Sequence, residues 1–143
     1  MKKTDELLSV LNKSTTTEQL NEYIEDLKKE VRYPNVGVFF ETKIEELNLK
    51  KSEIIMNSHL DRTYAYQIFN STRTGSRDKL LALCLAMHLS LEDTNRALTL
   101  NGDNILYAKN IRDAILIYCV NKRLSLYECN ILLEQKKQEI LDT

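Results

Sequence analysis

Apolar positions along this chain recur at the three- and four-residue spacing of helix faces, with few strand-like alternations between them. In TTTEQLNEYIEDLKKEV, Leu20, Tyr23, Ile24, Leu27 and Val31 share one stripe, the pattern of an amphipathic helix. Thr16 stands three residues before Gln19, which predicts a capping box at its start. YPNVG then breaks the pattern, because Pro34 lacks an N–H and Gly37 tolerates unusual dihedrals. A second stripe follows with Phe39, Phe40, Ile44 and Leu47. Short segments come next: KSEIIMNSHL, RTYAYQIFN and SRDKLLALCLAMHL. The chain has only three Gly and one Pro, and its turn signals fall between periodic segments, so the expected fold class is all-α.

From residue 77 onward the chain repeats itself. Residues 77–106 and 112–141 align without a gap at an offset of 35. Identities include Arg77/Arg112, Asp78/Asp113, Leu81/Leu116, Cys84/Cys119, Leu89/Leu124, Ser90/Ser125, Leu91/Leu126, Asn95/Asn130, Leu98/Leu133 and Leu106/Leu141. Each copy reads as a helix, a tight LSL turn and a second helix. Ser90 with Asp93 and Ser125 with Glu128 predict capping boxes. Asn95 and Asn130 are expected to satisfy backbone groups of their own turn. The Arg-Asp pairs at 77–78 and 112–113 are expected to pair locally or to complement the helix dipole. Two such hairpins can bury each other's apolar faces.

Charge sharpens the picture in one place. The chain of 143 residues has a formal net charge of −1, which alone gives a polyanion little to bind. Its distribution is uneven. Residues 1–48 carry net −3, residues 81–143 net −1, and residues 49–80 net +3 from Lys50, Lys51, Arg62, Arg73, Arg77 and Lys79 against Glu53, Asp61 and Asp78. No apolar run has the length of a membrane span, and MKKTDELLSVLNK lacks the apolar core of a signal peptide. A cytoplasmic chain is therefore expected. Cys84, Cys119 and Cys129 have no CxxC spacing and read as small buried apolar residues. His59 and His88 have no metal-ligand spacing; His59 reads as a turn residue and His88 as a surface residue at a helix end. No glycine-rich phosphate loop and no catalytic constellation stand out, so neither an enzyme nor a cofactor is expected.

The basic window coincides with a pattern of two short helices. The first is expected over Lys51 to His59, burying Ile54, Ile55 and Ser58. The turn is His59-Leu60-Asp61, with Leu60 inward and Asp61 capping the next helix. The second helix is expected over Arg62 to Asn70. Ala65, Ile68 and Phe69 form its buried set, and small Ala65 suits a close helix contact. Arg62, Thr63, Tyr66, Gln67 and Asn70 then face outward. Arg and Gln match the edges of guanine and adenine, and hydroxyl, amide and cationic groups match phosphates.

At these residues the chain resembles the lambda-repressor-like helix-turn-helix domain of phage repressors and Xre-type regulators. The resemblance covers about residues 37–100. It is carried by HLDRTYAYQIFNSTRTGSRDKLLAL, with LSLEDTNRAL similar to the family's fifth helix. The chain also resembles small bacterial proteins described only as helix-turn-helix or Xre-like. This implies an N-terminal helical extension at 1–34, a helix-turn-helix domain at 37–100, and a C-terminal hairpin at 104–143 on the same core. It implies a transcription regulator that reads double-stranded DNA with Arg62, Thr63, Tyr66 and Gln67. Lys51, Asn70, Arg73 and Arg77 would hold phosphates, and a homodimer would read two half-sites. The sequence departs from the family pattern at Lys51, where Gln is usual, at Ile55, where Ala is usual, and at His59, where Gly is usual. A second reading keeps the fold without DNA and places a protein partner on Tyr64 and Tyr66.

Overall fold

The structure, a computed structural model, describes residues 16–29 and 33–142. The chain divides into two units, 1–32 and 33–143. In the first, helix α1 spans Thr17–Lys29. The Thr16 hydroxyl accepts from the Gln19 N–H at 3.1 Å, and the Gln19 side chain accepts from the Thr16 N–H at 3.3 Å, so the predicted capping box forms. Leu20 and Ile24 lie on its exposed surface. Val31 and residues 1–15 lie outside the described residues.

The second unit holds α2 (Val36–Glu46), α3 (Lys51–Ser58), α4 (Arg62–Phe69), α5 (Arg77–Ala86), α6 (Leu91–Leu100), α7 (Ile111–Asn121) and α8 (Leu126–Gln135). No strand occurs among the described residues, and the expected all-α class holds. Most of these helices start at a side chain suited to the task. Asn35, Asp61, Ser76, Ser90, Asn110 and Ser125 each accept from the N–H three residues on, satisfying a donor that the helix leaves free. The Ser125–Glu128 capping box is complete. Helix ends fall into the left-handed region at Asn48, His59, Ser71, His88, Gly102, Arg123 and Lys137. Two of these pairs, His88/Arg123 and Gly102/Lys137, are again 35 apart, so the repeat is written in the backbone as well as the side chains.

The helices enclose two cores, and α5 belongs to both. Leu80, Leu83, Cys84 and Met87 face α2, α3 and α4, joining Phe39, Phe40, Ile54, Ile68 and Phe69. Phe40 meets Phe69 edge-on, with ring centroids 6.2 Å apart. Leu81, Ala82 and Leu85 face the other way and join Leu98, Leu116, Val120, Leu126, Leu133 and Leu141. The three cysteines are buried and unbridged, as expected, and burial pushes the Cys84 thiol up to about 12.

The two hairpins are related by an approximate two-fold rotation. A translational stack would give contacts in one direction only. Here α5 packs on α8 and α6 packs on α7, so the contacts are reciprocal. The Arg-Asp pairs obey the same exchange. Arg77 binds Asp113 through two hydrogen bonds of 3.0 and 2.9 Å, and Arg112 binds Asp78 through two of 3.0 and 2.9 Å. Each guanidinium also holds the tail of its own hairpin. Arg77 donates to the carbonyls of Asn104 and Ile105, and Arg112 to those of Glu139 and Ile140. The expectation of local pairing is thus corrected. Adjacent residues on a helix point in different directions, and the partners come from the other copy. Asn95 and Asn130 are corrected likewise. They accept from the N–H of Leu106 and Leu141, both at 2.9 Å, eleven residues on, rather than from their own turn.

Both aspartates sit among donors. Burial would raise the Asp113 carboxyl, but hydrogen bonds from Arg77 and the Tyr107 N–H, with the Arg77 charge, outweigh it and hold it below the usual carboxylate range. Burial opposes Asp78 in the same way, and Arg112 with the Asp142 N–H prevails. A carboxyl whose folded pKa is lowered contributes stability above its unfolded value, and that contribution fades as pH falls through the folded value. Denaturant stability should therefore fall on acidification below about pH 4. Asp113→Asn should cost about 2 kcal/mol at neutral pH and flatten the acid decline. Urea titrations across that range check this; a variant with an unchanged acid slope would show that Asp113 does not drive it.

Candidate nucleic-acid interface

The α3–turn–α4 segment is fixed from inside. Ser58 is fully buried; its hydroxyl donates to the Ile55 carbonyl at 2.8 Å and accepts from the Leu60 N–H at 3.3 Å. His59 takes the left-handed conformation with φ 58°, which reverses the chain in three residues. Histidine is among the side chains that enter this region more readily than most, whereas glycine enters it without penalty. Leu60 is buried, and Asp61 accepts from the Tyr64 N–H at 3.1 Å to cap α4.

Helix α4 then docks on Ala65, Ile68 and Phe69, all buried. The start of α2 closes over its far end. A Cβ on Gly37 would lie 2.5 Å from the Ile68 carbonyl oxygen and 2.9 Å from that of Phe69, so no larger residue fits without moving one helix. Asn35 reinforces this approach: its side-chain oxygen caps α2 and accepts from the Ser71 hydroxyl at 2.9 Å.

The opposite side of α4 carries the residues that the sequence nominates. Arg62, Thr63 and Asn70 are exposed, and Tyr66 and Gln67 are half-buried. Arg62 lies over the Tyr66 ring, 5.6 Å from its centroid. Tyr64 is half-buried too. Its hydroxyl donates to the Thr74 carbonyl at 3.3 Å, and its ring has Arg73 at 4.8 Å and Lys79 at 5.2 Å. Together Leu60, Asp61, Thr63, Tyr64, Gln67, Arg73 and Lys79 line an open hollow of about 490 Å³ beside α4.

The nominated phosphate residues do not stand alike. Arg73 is exposed and has no carboxylate partner among the described residues. Lys51 is paired with Glu41 and lies 5.9 Å from the centre of the Phe69 ring. The Asn70 oxygen accepts from the Thr72 N–H and hydroxyl, at 3.1 and 2.6 Å. Arg77 is committed to Asp113 and two carbonyls on the far side of α5, so its charge serves the repeat. Lys79, which the sequence shows only as one charge in the basic window, joins Arg62 and Arg73 as a cation with no acidic partner among the described residues. Its place beside Tyr64 depends on where Ser76 starts α5, one turn earlier.

Among the described residues no group of three or more His, Cys, Asp or Glu side chains is arranged to hold a metal ion, and no helix is long and apolar enough to cross a membrane. No family model, curated protein or solved structure matches this chain.

Gly37→Ala tests what holds α4. It should destabilise the fold by about 1–3 kcal/mol, the usual cost of overpacking a tight contact. Chemical denaturation with and without the substitution measures it. A neutral result would mean that α2 and α4 are less closely apposed than the carbonyl distances state.

Proposed function

We propose that this chain is a transcription regulator that binds double-stranded DNA and lays α4 in the major groove. The observation that carries this reading is the set of three cations, Arg62, Arg73 and Lys79, that surround the outward side of α4 with no carboxylate partner among the described residues. Other cations in the same stretch, Lys51 and Arg77, have acidic partners. Leaving these three unneutralised around one short helix suits a polyanion. The resemblance of residues 37–100 to repressor-like domains supports the same reading.

In this arrangement Arg62 and Gln67 read base edges, with Thr63 and Tyr66 beside them. Arg73 and Lys79 hold phosphates at the rim of the hollow, where stacking on Tyr64 fixes their position. The competing reading, a protein partner on Tyr64 and Tyr66, needs free aromatic surface. Tyr64 offers little, since its hydroxyl is bonded and its ring has a cation on it from each of two neighbours.

Selection from a pool of random duplexes at low salt, followed by fluorescence anisotropy, tests the proposal. The two phosphate-holding cations of each module, Arg73 and Lys79, give a slope of about −2 in log affinity against log salt. Arg62→Ala should cost about 1–3 kcal/mol and relax preference at one base pair. Lys79→Ala should weaken all duplexes alike and reduce the salt slope by about one. If selection enriches no sequence and both variants bind like the parent chain, the proposal is wrong.

A further inference from the structure

The loop between α4 and α5 carries Arg73, and its path is fixed from three sides. The N–H groups of Thr72 and Arg73 donate to the Gln67 carbonyl, at 3.0 and 3.2 Å, which ties the start of the loop to α4. The Tyr64 hydroxyl holds the Thr74 carbonyl at 3.3 Å. The third hold comes from the end of α6, 26 positions along the chain. There the Asn101 side-chain amide donates to the Gly75 carbonyl at 3.0 Å and to the Asp103 carboxylate at 2.7 Å. Both partners are acceptors, so the two amide N–H groups of Asn101 are used in two directions, and Asp103 sets which way the amide faces. The loop lies close on the core at this point. A Cβ on Gly75 would lie 3.0 Å from the Cδ1 atoms of Ile68 and Leu80.

The repeat shows that the turn after α6 does not need these two side chains. The N–H groups of Gly102 and Asp103 donate to the Thr99 and Leu98 carbonyls at 3.0 and 2.9 Å. In the second hairpin, those of Lys137 and Gln138 donate to the Glu134 and Leu133 carbonyls at 3.0 and 2.9 Å. Gly102 and Lys137 are both left-handed. The same turn thus forms with Lys136 and Gln138 where the first hairpin has Asn101 and Asp103. The amide and the carboxylate serve something beyond the turn, and what they reach is the Gly75 carbonyl.

We propose that Asn101, oriented by Asp103, is a positioning residue for phosphate binding: it holds the loop after α4 so that Arg73 stays over the Tyr64 ring. The inference rests on the proposed DNA role and adds to it a residue from outside α4 and its loop. An exposed arginine samples many rotamers, and a phosphate contact must overcome that entropy. Stacking on Tyr64, with the guanidinium 4.8 Å from the ring centroid, lowers the cost only while loop and ring keep their spacing. Asn101 keeps that spacing from the α6 side.

Nuclear magnetic resonance of the full chain without DNA reads the placement, because the Tyr64 ring shifts the signals of the Arg73 side chain above it. Asn101→Ala should move those signals toward the values of an unstructured arginine, with an unchanged helical circular dichroism spectrum. Asn101→Met should do the same; it is unbranched, like the lysine that the second hairpin carries in this turn, and it has no donor. Fluorescence anisotropy on a duplex then reads the consequence, as a cycle with Arg73→Ala. In the parent chain Asn101→Ala should weaken binding about two- to tenfold, the worth of one net hydrogen bond. Once Arg73 is replaced, it should add nothing. Unmoved Arg73 signals overturn the proposal. So does an equal loss in both backgrounds, which would make Asn101 merely structural. A parent chain that binds no duplex overturns the DNA role and the phosphate role of Asn101 together, while the Arg73 signals still decide whether Asn101 places that side chain.

Discussion

Helix α5 has no outward side to spare. Residues 80 to 85 are all buried, alternate groups of them facing different neighbours. Full burial of one such leucine is worth about 1.5–3 kcal/mol, so neither core can be assembled without the helix that the other also needs. The helix consequently ties the placement of α4 to the placement of the C-terminal hairpin. Its N-terminal cap at Ser76 begins directly after the loop that carries Arg73, and Lys79 sits in its first turn. The surface around α4 is therefore built partly from an element whose position is set by residues far along the chain.

Two kinds of arginine follow from this arrangement. Arg77 and Arg112 are structural: each fastens an aspartate of the opposite hairpin and the tail of its own, in planar two-bond geometry that lysine cannot copy. Arg62 and Arg73 instead lie over tyrosine rings, with no carboxylate partner among the described residues. Arg73 and Arg77 are four positions apart, yet one faces the hollow and the other the interface between hairpins. Formal charge counts cannot separate them, whereas partners do.

Much of the local structure is legible in the sequence because it is decided by neighbours. Thr16 with Gln19, Asp61 ahead of α4, and Ser125 with Glu128 act at three residues' distance, and the structure has them as expected. Ile54, Ile55, Ser58, Leu60, Ala65, Ile68 and Phe69 are buried, as helical spacing predicts. What escapes is set by the path of the chain. The repeat is visible in the letters, but whether its copies stack by translation or face each other is not. That difference decides the partners of Arg77, Asp78, Arg112, Asp113, Asn95 and Asn130. The same holds for Tyr64, an aromatic on a polar face by sequence, which the loop after α4 half covers. Lys79 enters the site through that loop as well.

The exchange between hairpins also imposes an order in time. The first core is complete within residues 36–97, so it can close while the rest of the chain is still being made. Leu81, Ala82 and Leu85 then await α7 and α8, which arrive later. The fastening from the Asp142 N–H to Asp78 at 3.1 Å spans 64 residues and forms only once residue 142 has been made. A nascent chain thus passes through a stage in which a folded helical module displays a leucine-rich ridge to its surroundings. Such a ridge is the kind of surface that chaperones bind and that aggregates grow from. Slowed translation of the second hairpin would lengthen that stage without changing any property of the finished protein.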